Sequence, residues 1–219
     1  MHNVTVAFAA LLVMLLSYFF GCFNGSFMVS HFIIRDDVRK HGSGNAGLTN
    51  FYRTYGAKYA LLVIACDMGK TVAACLLGSF FFRCLGWDGT LGTLLAGLGC
   101  ELGHIFPVFY GFRGGKGILS GGTLVLLLNW RVAAVAWALF LLLWLTTRYV
   151  SLASITATCS APITVYFVYG HNPIYTGLCL AVAALVVWCH RENIQRLLHG
   201  TEKKFKWHVN PTEGKDPPQ

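Results

Sequence analysis

The side chains in this sequence that could do chemistry are concentrated in three stretches. The first runs from His41 to Arg53 and reads HGSGNAGLTNFYR. Its glycines permit backbone conformations with positive φ, in which successive N–H groups point at one anion, and Arg53 adds a bidentate donor. This composition favours a site for a phosphate or a carboxylate, although an ordinary glycine-rich turn contains the same residues.

The second stretch runs from Gly103 to Gly117 and reads GHIFPVFYGFRGGKG. It leads into a helix predicted from Ile118, whose unpaired N–H groups and dipole would favour an anion beside Lys116. It is not a nucleotide-binding P-loop, because Gly117 follows the lysine where Ser or Thr is required. A basic turn at a membrane surface is the alternative interpretation.

The third stretch runs from His190 to Lys203 and reads HRENIQRLLHGTEK. If it is helical, His190 and Asn193 share one face. A titratable imidazole beside an amide suits proton transfer and oxyanion stabilisation. Contact of Arg191 and Arg196 with lipid headgroups explains the same pattern equally well.

Four further polar residues lie in or beside apolar runs. Asp67 and Lys70 are three residues apart, which places them on one face of a helix. Ionisable residues inside a membrane are usually paired, so a structural ion pair is the first interpretation. Ser151 and Ser154 could add hydroxyls to a phosphate site or pack against other helices.

The composition indicates that lipid surrounds most of the protein. Of its 219 residues, 55% are hydrophobic and only 12% are charged, whereas soluble domains contain about 25% charged residues. This excludes a soluble globule, a disordered chain, a coiled coil and a nucleic-acid-binding domain. The net charge of +8 arises from basic residues in short stretches between apolar runs, which is a signal of membrane topology.

The apolar runs predict an all-α bundle of seven transmembrane helices, some of them short. A bilayer core of about 30 Å requires about 20 helical residues. A hairpin is favoured for the fourth and fifth runs, because one continuous helix would place Arg131 near mid-membrane at a cost of about 2.5–3.5 kcal/mol. Six spans remain the alternative. The runs are 4–34, 59–82, 91–111, 118–130, 132–147, 149–170 and 173–189.

The basic residues also predict the orientation. With seven spans, 14 of the 17 Lys and Arg residues fall on one face, together with all three polar stretches. The positive-inside rule makes that face cytoplasmic, with the N-terminus outside and the C-terminus in the cytoplasm. We expect one membrane domain over residues 1–209 and a disordered cytoplasmic tail over 210–219, which contains three prolines.

Taken together, the three stretches resemble the motifs of the bacterial acylphosphate:glycerol-3-phosphate acyltransferases, the PlsY-type membrane enzymes. The first is similar to G-S-G-N-x-G-x-T-N-x-x-R, the second to G-H-x-F-P-V-F-x-x-F-x-G-G-K-G, and the third to H-x-x-N-I-x-R-L-x-x-G-x-E. The order and spacing agree, and the resemblance extends from about Gly25 to about Lys204. Ala46 stands where the family usually has Pro, but every polar group of the motif is present.

The resemblance implies transfer of a fatty acyl group from acyl phosphate to the 1-hydroxyl of glycerol 3-phosphate. The products would be lysophosphatidic acid and phosphate, in the first step of phospholipid synthesis. We therefore expect a multi-pass enzyme of the bacterial inner membrane with its active site facing the cytoplasm. Its expected partners are the two substrates and membrane lipid, without nucleic acid, metal or cofactor.

The resemblance also assigns roles to residues. Lys116 would hold the phosphate of glycerol 3-phosphate, while Ser43, Asn45 and Arg53 would hold the acyl phosphate. His190 is a candidate for accepting the hydroxyl proton, unless the released phosphate takes it, and a two-step route through an acyl-Ser43 stays open. The predicted catalytic residues are Ser43, Arg53, Lys116, His190 and Asn193. The predicted substrate-binding residues are Gly42, Gly44, Asn45, Thr49, Asn50, His104, Gly114, Gly115, Gly117, Ser151 and Ser154.

Two other functions compete with this hypothesis. A small anion or phosphate-ester transporter would use the basic loops together with Asp67 and Lys70, and would have polar residues reaching the membrane centre from both sides. An acyltransferase that uses acyl-CoA would instead rely on His31 and Asp36, which form an H-x-x-x-x-D pattern. The acyl donor, acyl-CoA or acyl phosphate, distinguishes this acyltransferase from the PlsY-type enzymes.

Overall fold

The computed structural model describes residues 2–207, with side chains from Val4 onward, and its regular structure there is helical. The predicted disordered tail, 210–219, lies outside these residues. A π-helix at Val29–Ile34 and short 3₁₀ turns at Val38–Lys40 and Val108–Tyr110 connect the α-helices. The α-helices are α1 (His2–Cys22), α2 (Gly25–Met28), α3 (Leu48–Tyr55), α4 (Ala60–Cys84), α5 (Gly89–Ile105), α6 (Ile118–Leu128), α7 (Trp130–Thr147), α8 (Val150–Val168), α9 (Pro173–Cys189) and α10 (Arg191–Leu198).

The helices confirm an all-helical membrane protein, while the predicted count of seven spans is only partly matched. Within residues 2–207, five helical segments are long and apolar enough to cross a membrane. The pair α9 and α10, bent by 59°, makes a sixth if it counts as one span. The helix α6 has 11 residues and is therefore about 16 Å long, which is short for a full crossing. Seven crossings thus remain a prediction.

The predicted hairpin between α6 and α7 is confirmed. The chain breaks at Asn129, where φ is −165° and the side chain accepts a hydrogen bond from the Arg131 N–H. The Trp137 indole donates to the Gly122 carbonyl over 3.2 Å, so the two helices fold back on each other. Arg131 is exposed and lies over the Trp130 ring, an arrangement typical of a membrane interface.

The helix α5 lies at the centre of the bundle and packs closely against α1. It is the most buried candidate span, with 72% of its apolar window inside the protein. A side chain at Gly99 or Gly103 would collide with the α1 backbone at Met14 or Tyr18. Small residues at this four-residue spacing allow helices in a membrane to approach closely.

The predicted Asp67–Lys70 ion pair is present and joins the two parts of the first span. Lys70 Nζ lies 2.8 Å from the Asp67 carboxylate and donates to the carbonyls of Gly21 and Phe23. The Asp67 carboxylate accepts from the Gly25 N–H. The chain is broken between α1 and α2, and backbone groups exposed at a break in the membrane must find partners. The pair is therefore structural, because it supplies hydrogen-bond partners to the backbone at this break.

Candidate active site

One cavity of about 1190 Å³ joins the three polar stretches to the apolar interior. Its polar mouth contains Arg53, Lys116, Arg196 and Lys203. Its apolar arm runs between α6, α7, α8 and α9, from Val186 near the mouth to Cys179 deeper inside. The sequence-predicted residues that line this cavity are Gly42, Ser43, Asn45, Thr49, Asn50, Arg53, His104, Lys116, Gly117, Ser151, Ser154, His190 and Asn193.

The loop that presents Ser43 is organised by Asn50. The buried Asn50 amide donates to the carbonyls of Val38, His41 and Asn45 at 3.0–3.1 Å, and its oxygen accepts from the Ser43 N–H at 3.0 Å. Because these contacts engage both ends of the amide, Asn50 shapes the loop. Its predicted contact with substrate stays a prediction.

Gly114, Gly115 and Gly44, which are predicted to bind substrate, do not line the cavity, so their contacts with substrate stay a prediction. The Gly114 and Gly115 N–H groups donate to the carbonyls of Ile105 and His104, both at 3.1 Å. Carbonyl groups at the end of a helix need such donors. The Gly44 N–H likewise donates to the His41 carbonyl at 3.0 Å. All three N–H groups are therefore committed within the protein.

Gly114 nevertheless joins the first and second stretches. Its carbonyl accepts from the Ala46 N–H at 3.3 Å and from the Asn45 side-chain amide at 3.4 Å. Asn45 thus lies both at the cavity and at the contact between the two loops. The two stretches form one wall of the site because of these hydrogen bonds.

The turn that carries Lys116 rests on the buried side chain of Glu101. Gly117 has φ of +81°, and a Cβ atom there would collide with the Glu101 carboxylate. Glu101 is 1% exposed, and within residues 2–207 neither of its carboxylate oxygens has a hydrogen-bond partner. Position 117 therefore requires glycine, both for its left-handed backbone and for the space it leaves.

A hydrogen-bonded network connects Lys116 to the end of the third stretch. Lys116 Nζ donates to Asn193 Oδ1, and the Asn193 amide donates to Glu202 Oε1 at 2.7 Å. The Glu202 carboxylate also accepts from the Ser151 hydroxyl at 2.7 Å and from Arg196 Nε at 2.8 Å. Each end of the Asn193 amide therefore has a partner within the protein, and its predicted contact with substrate or oxyanion stays a prediction.

The surroundings of the network shift the pKa values of Lys116 and Glu202. Burial, reinforced by repulsion from Arg196, lowers the pKa of Lys116 to about 8. Burial alone would raise the pKa of Glu202, but hydrogen bonds from Arg196, Ser151 and Asn193 lower it below its ordinary value. At neutral pH the mouth therefore holds a lysine that is mostly charged and an ionised glutamate.

His190 lies at the bend between α9 and α10 and is held in one orientation. Its Nδ1 atom is 2.8 Å from the Val186 carbonyl, which can only accept a hydrogen bond. The neutral ring therefore carries its proton on Nδ1 and leaves Nε2 as an acceptor. Burial, followed by the positive charge of Lys116, lowers the pKa of His190 to about 4. The ring is thus neutral at pH 7 and is a weak base.

A segment that we call the C-terminal strap, residues 201–207, borders the mouth. The Phe205 N–H donates to the Arg148 carbonyl at 2.8 Å, and the Tyr52 hydroxyl donates to the Trp207 carbonyl at 2.7 Å. Arg53 donates to the Lys203 carbonyl at 3.1 Å.

Several residues of the strap and of α10 line the cavity although they were not predicted as site residues. Their lysines also fit the pattern of membrane topology, and only Arg196 and Glu202 occupy defined positions of the third motif. These residues are Glu192, Arg196, Glu202, Lys203, Lys204 and Lys206.

The predicted residues of α5 and α8 differ in their partners. His104 is buried, with Nδ1 2.8 Å from Lys70 Nζ, so it joins the cavity wall to the Asp67–Lys70 pair. Ser151 donates to Glu202. Ser154 is 1% exposed, and its hydroxyl has no hydrogen-bond partner in the part of the chain that the structure describes. Ser154 therefore has a hydroxyl available to a ligand.

The alternative acyl-CoA dyad is not assembled. The Asp36 carboxylate lies 2.8 Å from His41 Nε2, while His31 is exposed and stacks on Phe27 with ring centroids 5.2 Å apart. Neither His31 nor Asp36 lines the cavity. The geometry therefore gives no support to a catalytic pair formed by these two residues.

Known proteins resemble this chain along most of its length. The family described as glycerol-3-phosphate acyltransferase matches residues 11–200. A glycerol-3-phosphate acyltransferase from Alkaliphilus metalliredigens is 40% identical over 195 residues, covering 89% of this chain and 95% of the relative. One from Finegoldia magna is 38% identical over 189 residues, covering 86% and 92%.

Solved structures match the fold as well. A crystal structure of PlsY (YgiH), an integral membrane glycerol 3-phosphate acyltransferase in its glycerol 3-phosphate form, has a TM-score of 0.79 and 37% identity. Its lysophosphatidic acid form has a TM-score of 0.77 and 35% identity. Each match covers 90% of this chain and 96% of the other. The chain therefore belongs to the glycerol-3-phosphate acyltransferase family of PlsY-type integral membrane proteins.

Proposed function

We propose that this protein transfers a fatty acyl group from acyl phosphate to the 1-hydroxyl of glycerol 3-phosphate. The products are lysophosphatidic acid and inorganic phosphate. One observation carries the proposal: a single cavity combines a mouth containing Arg53 and Lys116 with a long apolar arm. Both substrates carry a phosphate and one carries a long chain, so the cavity offers the chemistry that both require. Its relatives are named glycerol-3-phosphate acyltransferases, which supports the acceptor and the class of reaction.

The phosphates occupy two parts of the mouth. Lys116 binds the phosphate of glycerol 3-phosphate as a point charge, and the unpartnered Ser154 hydroxyl is a further donor. Ser43, Asn45 and Arg53 bind the phosphoryl group of the acyl phosphate from the opposite loop, with Thr49 and Gly42 beside them. Arg53 suits this role because a guanidinium binds two phosphate oxygens at once.

The reaction then needs little help with the leaving group. The 1-hydroxyl oxygen attacks the carbonyl carbon of the acyl phosphate, and the bond from that carbon to the phosphate oxygen breaks. The hydroxyl proton passes to the departing phosphate, which leaves as hydrogen phosphate. His190, whose pKa is about 4, is a weak base for this step, so it positions the glycerol moiety and does not take the hydroxyl proton. A direct transfer of this kind requires no acyl-Ser43.

Other predicted residues act through their neighbours. Asn193 holds Lys116 through its amide oxygen, and Asn50 holds the Ser43 loop through its own amide. His104 supports the wall beneath them. The apolar arm receives the acyl chain, because its lining of aliphatic and aromatic side chains excludes water from that part of the cavity.

The same proposal includes the orientation in the membrane. The mouth faces the cytoplasm of a bacterium, the N-terminus lies outside and the C-terminus inside. The asymmetry of 14 among 17 basic residues supports this arrangement. With α6 and α7 as a hairpin, the chain crosses seven times, and α6 forms a short crossing. Single reporter fusions at each loop distinguish this topology from one of six spans.

A comparison of acyl donors tests the proposed function. Purified protein receives glycerol 3-phosphate with acyl phosphate, acyl-CoA or acyl carrier protein of one chain length. We expect lysophosphatidic acid and an equal amount of inorganic phosphate from acyl phosphate alone. Equal or faster transfer from acyl-CoA would contradict the proposal, whereas radiolabelled acyl groups trapped on Ser43 at the rate of turnover would replace direct transfer with a two-step route.

A further inference from the structure

The apolar arm of the cavity reaches its far end at Leu128, the last residue of α6, and at three small side chains on three other helices. The small side chains are Ala136 on α7, Ala161 on α8 and Cys179 on α9. Ala136 lies six residues after the start of α7, Ala161 seven residues before the end of α8, and Cys179 six residues after the start of α9. At 1.5 Å per residue, all three lie about 10 Å from the ends of their helices opposite the mouth.

The protein is closely packed beyond these residues. Val132 and Val165 are each 0% exposed and belong to the same apolar cluster as Ala136 and Cys179, with Ala161 packed against it. The Tyr169 hydroxyl donates to the Leu128 carbonyl at 2.7 Å, which ties the end of α8 to the end of α6. The arm therefore stops at a floor formed by Leu128 and the three small side chains, above a filled core.

The distance from the mouth to this floor is defined by α8. Ser151 borders the mouth and Ala161 lies at the floor, ten residues further along the same helix. The arm therefore extends about 15 Å along that helix. An extended acyl chain whose carboxyl carbon is held at the mouth runs down the arm and brings its terminal methyl group toward the floor.

We propose that Ala136, Ala161 and Cys179 set the upper limit on the length of the acyl chain that the enzyme transfers. The inference rests on the proposed function, since it assigns the acyl chain to the apolar arm. A larger side chain at one of these positions fills the end of the arm, and each methylene group that no longer fits lowers kcat/KM by about tenfold or more.

Matched leucine substitutions on α7 test the proposal. Ala136 is buried at the floor, whereas Ala138, two residues away on the same helix, is exposed on the outer surface. Purified Ala136→Leu, Ala138→Leu and wild-type enzymes are assayed with saturated acyl phosphates that increase by two carbons. In Ala136→Leu we expect the preferred length to shorten by at least two carbons, with at least a tenfold loss of kcat/KM for the longest donor. Ala138→Leu keeps the wild-type profile.

A second floor variant makes the test independent of how well one protein folds. Cys179→Leu places a larger side chain at the floor from α9, and we expect the same shortening of the preferred acyl chain. Unchanged length profiles in both folded variants would overturn the inference and indicate a chain that leaves between the helices into the bilayer. If the wild-type enzyme used no acyl phosphate of any length, the proposed function itself would fail.

Discussion

At the scale of single residues, Lys116 gives the site its pH dependence. Its pKa of about 8 lies below the ordinary lysine value, so the ammonium group loses its proton as the pH rises through 8. Because the charged form binds phosphate, kcat/KM for glycerol 3-phosphate should fall above about pH 8. In Lys116→Arg the fall should disappear from this range, since arginine stays charged.

The control for this prediction is Arg113, which is exposed, lies in the same turn and does not line the cavity. We expect Arg113→Ala to keep the wild-type pH profile, while Lys116→Ala lowers kcat/KM by roughly ten- to hundredfold through the loss of a charged hydrogen bond. An alkaline limb that persisted in Lys116→Arg would assign it to another group.

His190 leads to a prediction for the acidic side of the profile. Because its pKa is about 4 rather than near 6.5, the imidazole does not titrate between pH 5.5 and 7.5. The ratio kcat/KM should therefore show no ionisation of this ring near pH 6.5, and His190→Gln should reduce kcat while leaving the shape of the profile unchanged. A limb near pH 6.5 that vanished in His190→Gln would restore the histidine as a general base.

The two serines of α8 should respond differently to the loss of their hydroxyls. Ser151→Ala removes a donor to Glu202 and should lower the free energy of unfolding by about 1 kcal/mol. Ser154→Ala removes a buried hydroxyl that has no partner in the described residues, so stability should be unchanged or slightly higher, while KM for glycerol 3-phosphate rises several-fold. Thermal unfolding in detergent and steady-state kinetics measure both effects. Equal destabilisation with unchanged KM would argue against a ligand at Ser154.

At the scale of elements, the start of α6 depends on one glycine. Gly117→Ala introduces a side chain at a left-handed φ and against Glu101, whereas Gly111→Ala meets the same strain at φ of +66° with open space around it. We expect about 1–2 kcal/mol of destabilisation in Gly111→Ala from backbone strain and clearly more in Gly117→Ala, with loss of activity. Thermal unfolding of the two variants provides the comparison. Equal losses would show that the contact with Glu101 contributes nothing.

The helices could be predicted from the sequence because their signal is local. Long apolar runs, the break at Asn129 and the three-residue spacing of Asp67 and Lys70 all act within a few turns of the chain. The partners of the second-stretch glycines could not be predicted, because the N–H groups of Gly114 and Gly115 bind carbonyls at the end of α5. Glycine content indicates conformational freedom, and it does not indicate which acceptor an N–H group will find.

At the scale of the whole molecule, motif order predicted a common site for residues more than a hundred positions apart. Ser43, Lys116 and His190 do line one cavity. The strap was not predicted, since its contacts with Tyr52 and Arg53 depend on the packing of α3 beside the C-terminal segment. The reaction calls for an apolar cleft, but its lining residues could not be identified, because residues that line a cavity in a membrane protein have the same composition as residues that face lipid.

The most direct measurement is an experimental structure of the enzyme with glycerol 3-phosphate and a non-transferable acyl phosphonate bound together. We expect both phosphorus groups in the polar mouth, one contacting Lys116 and the other Arg53, with the acyl chain extending along α8 toward Ala161. Binding of the two ligands in separate cavities, or an acyl chain lying outside the bundle, would contradict a shared site.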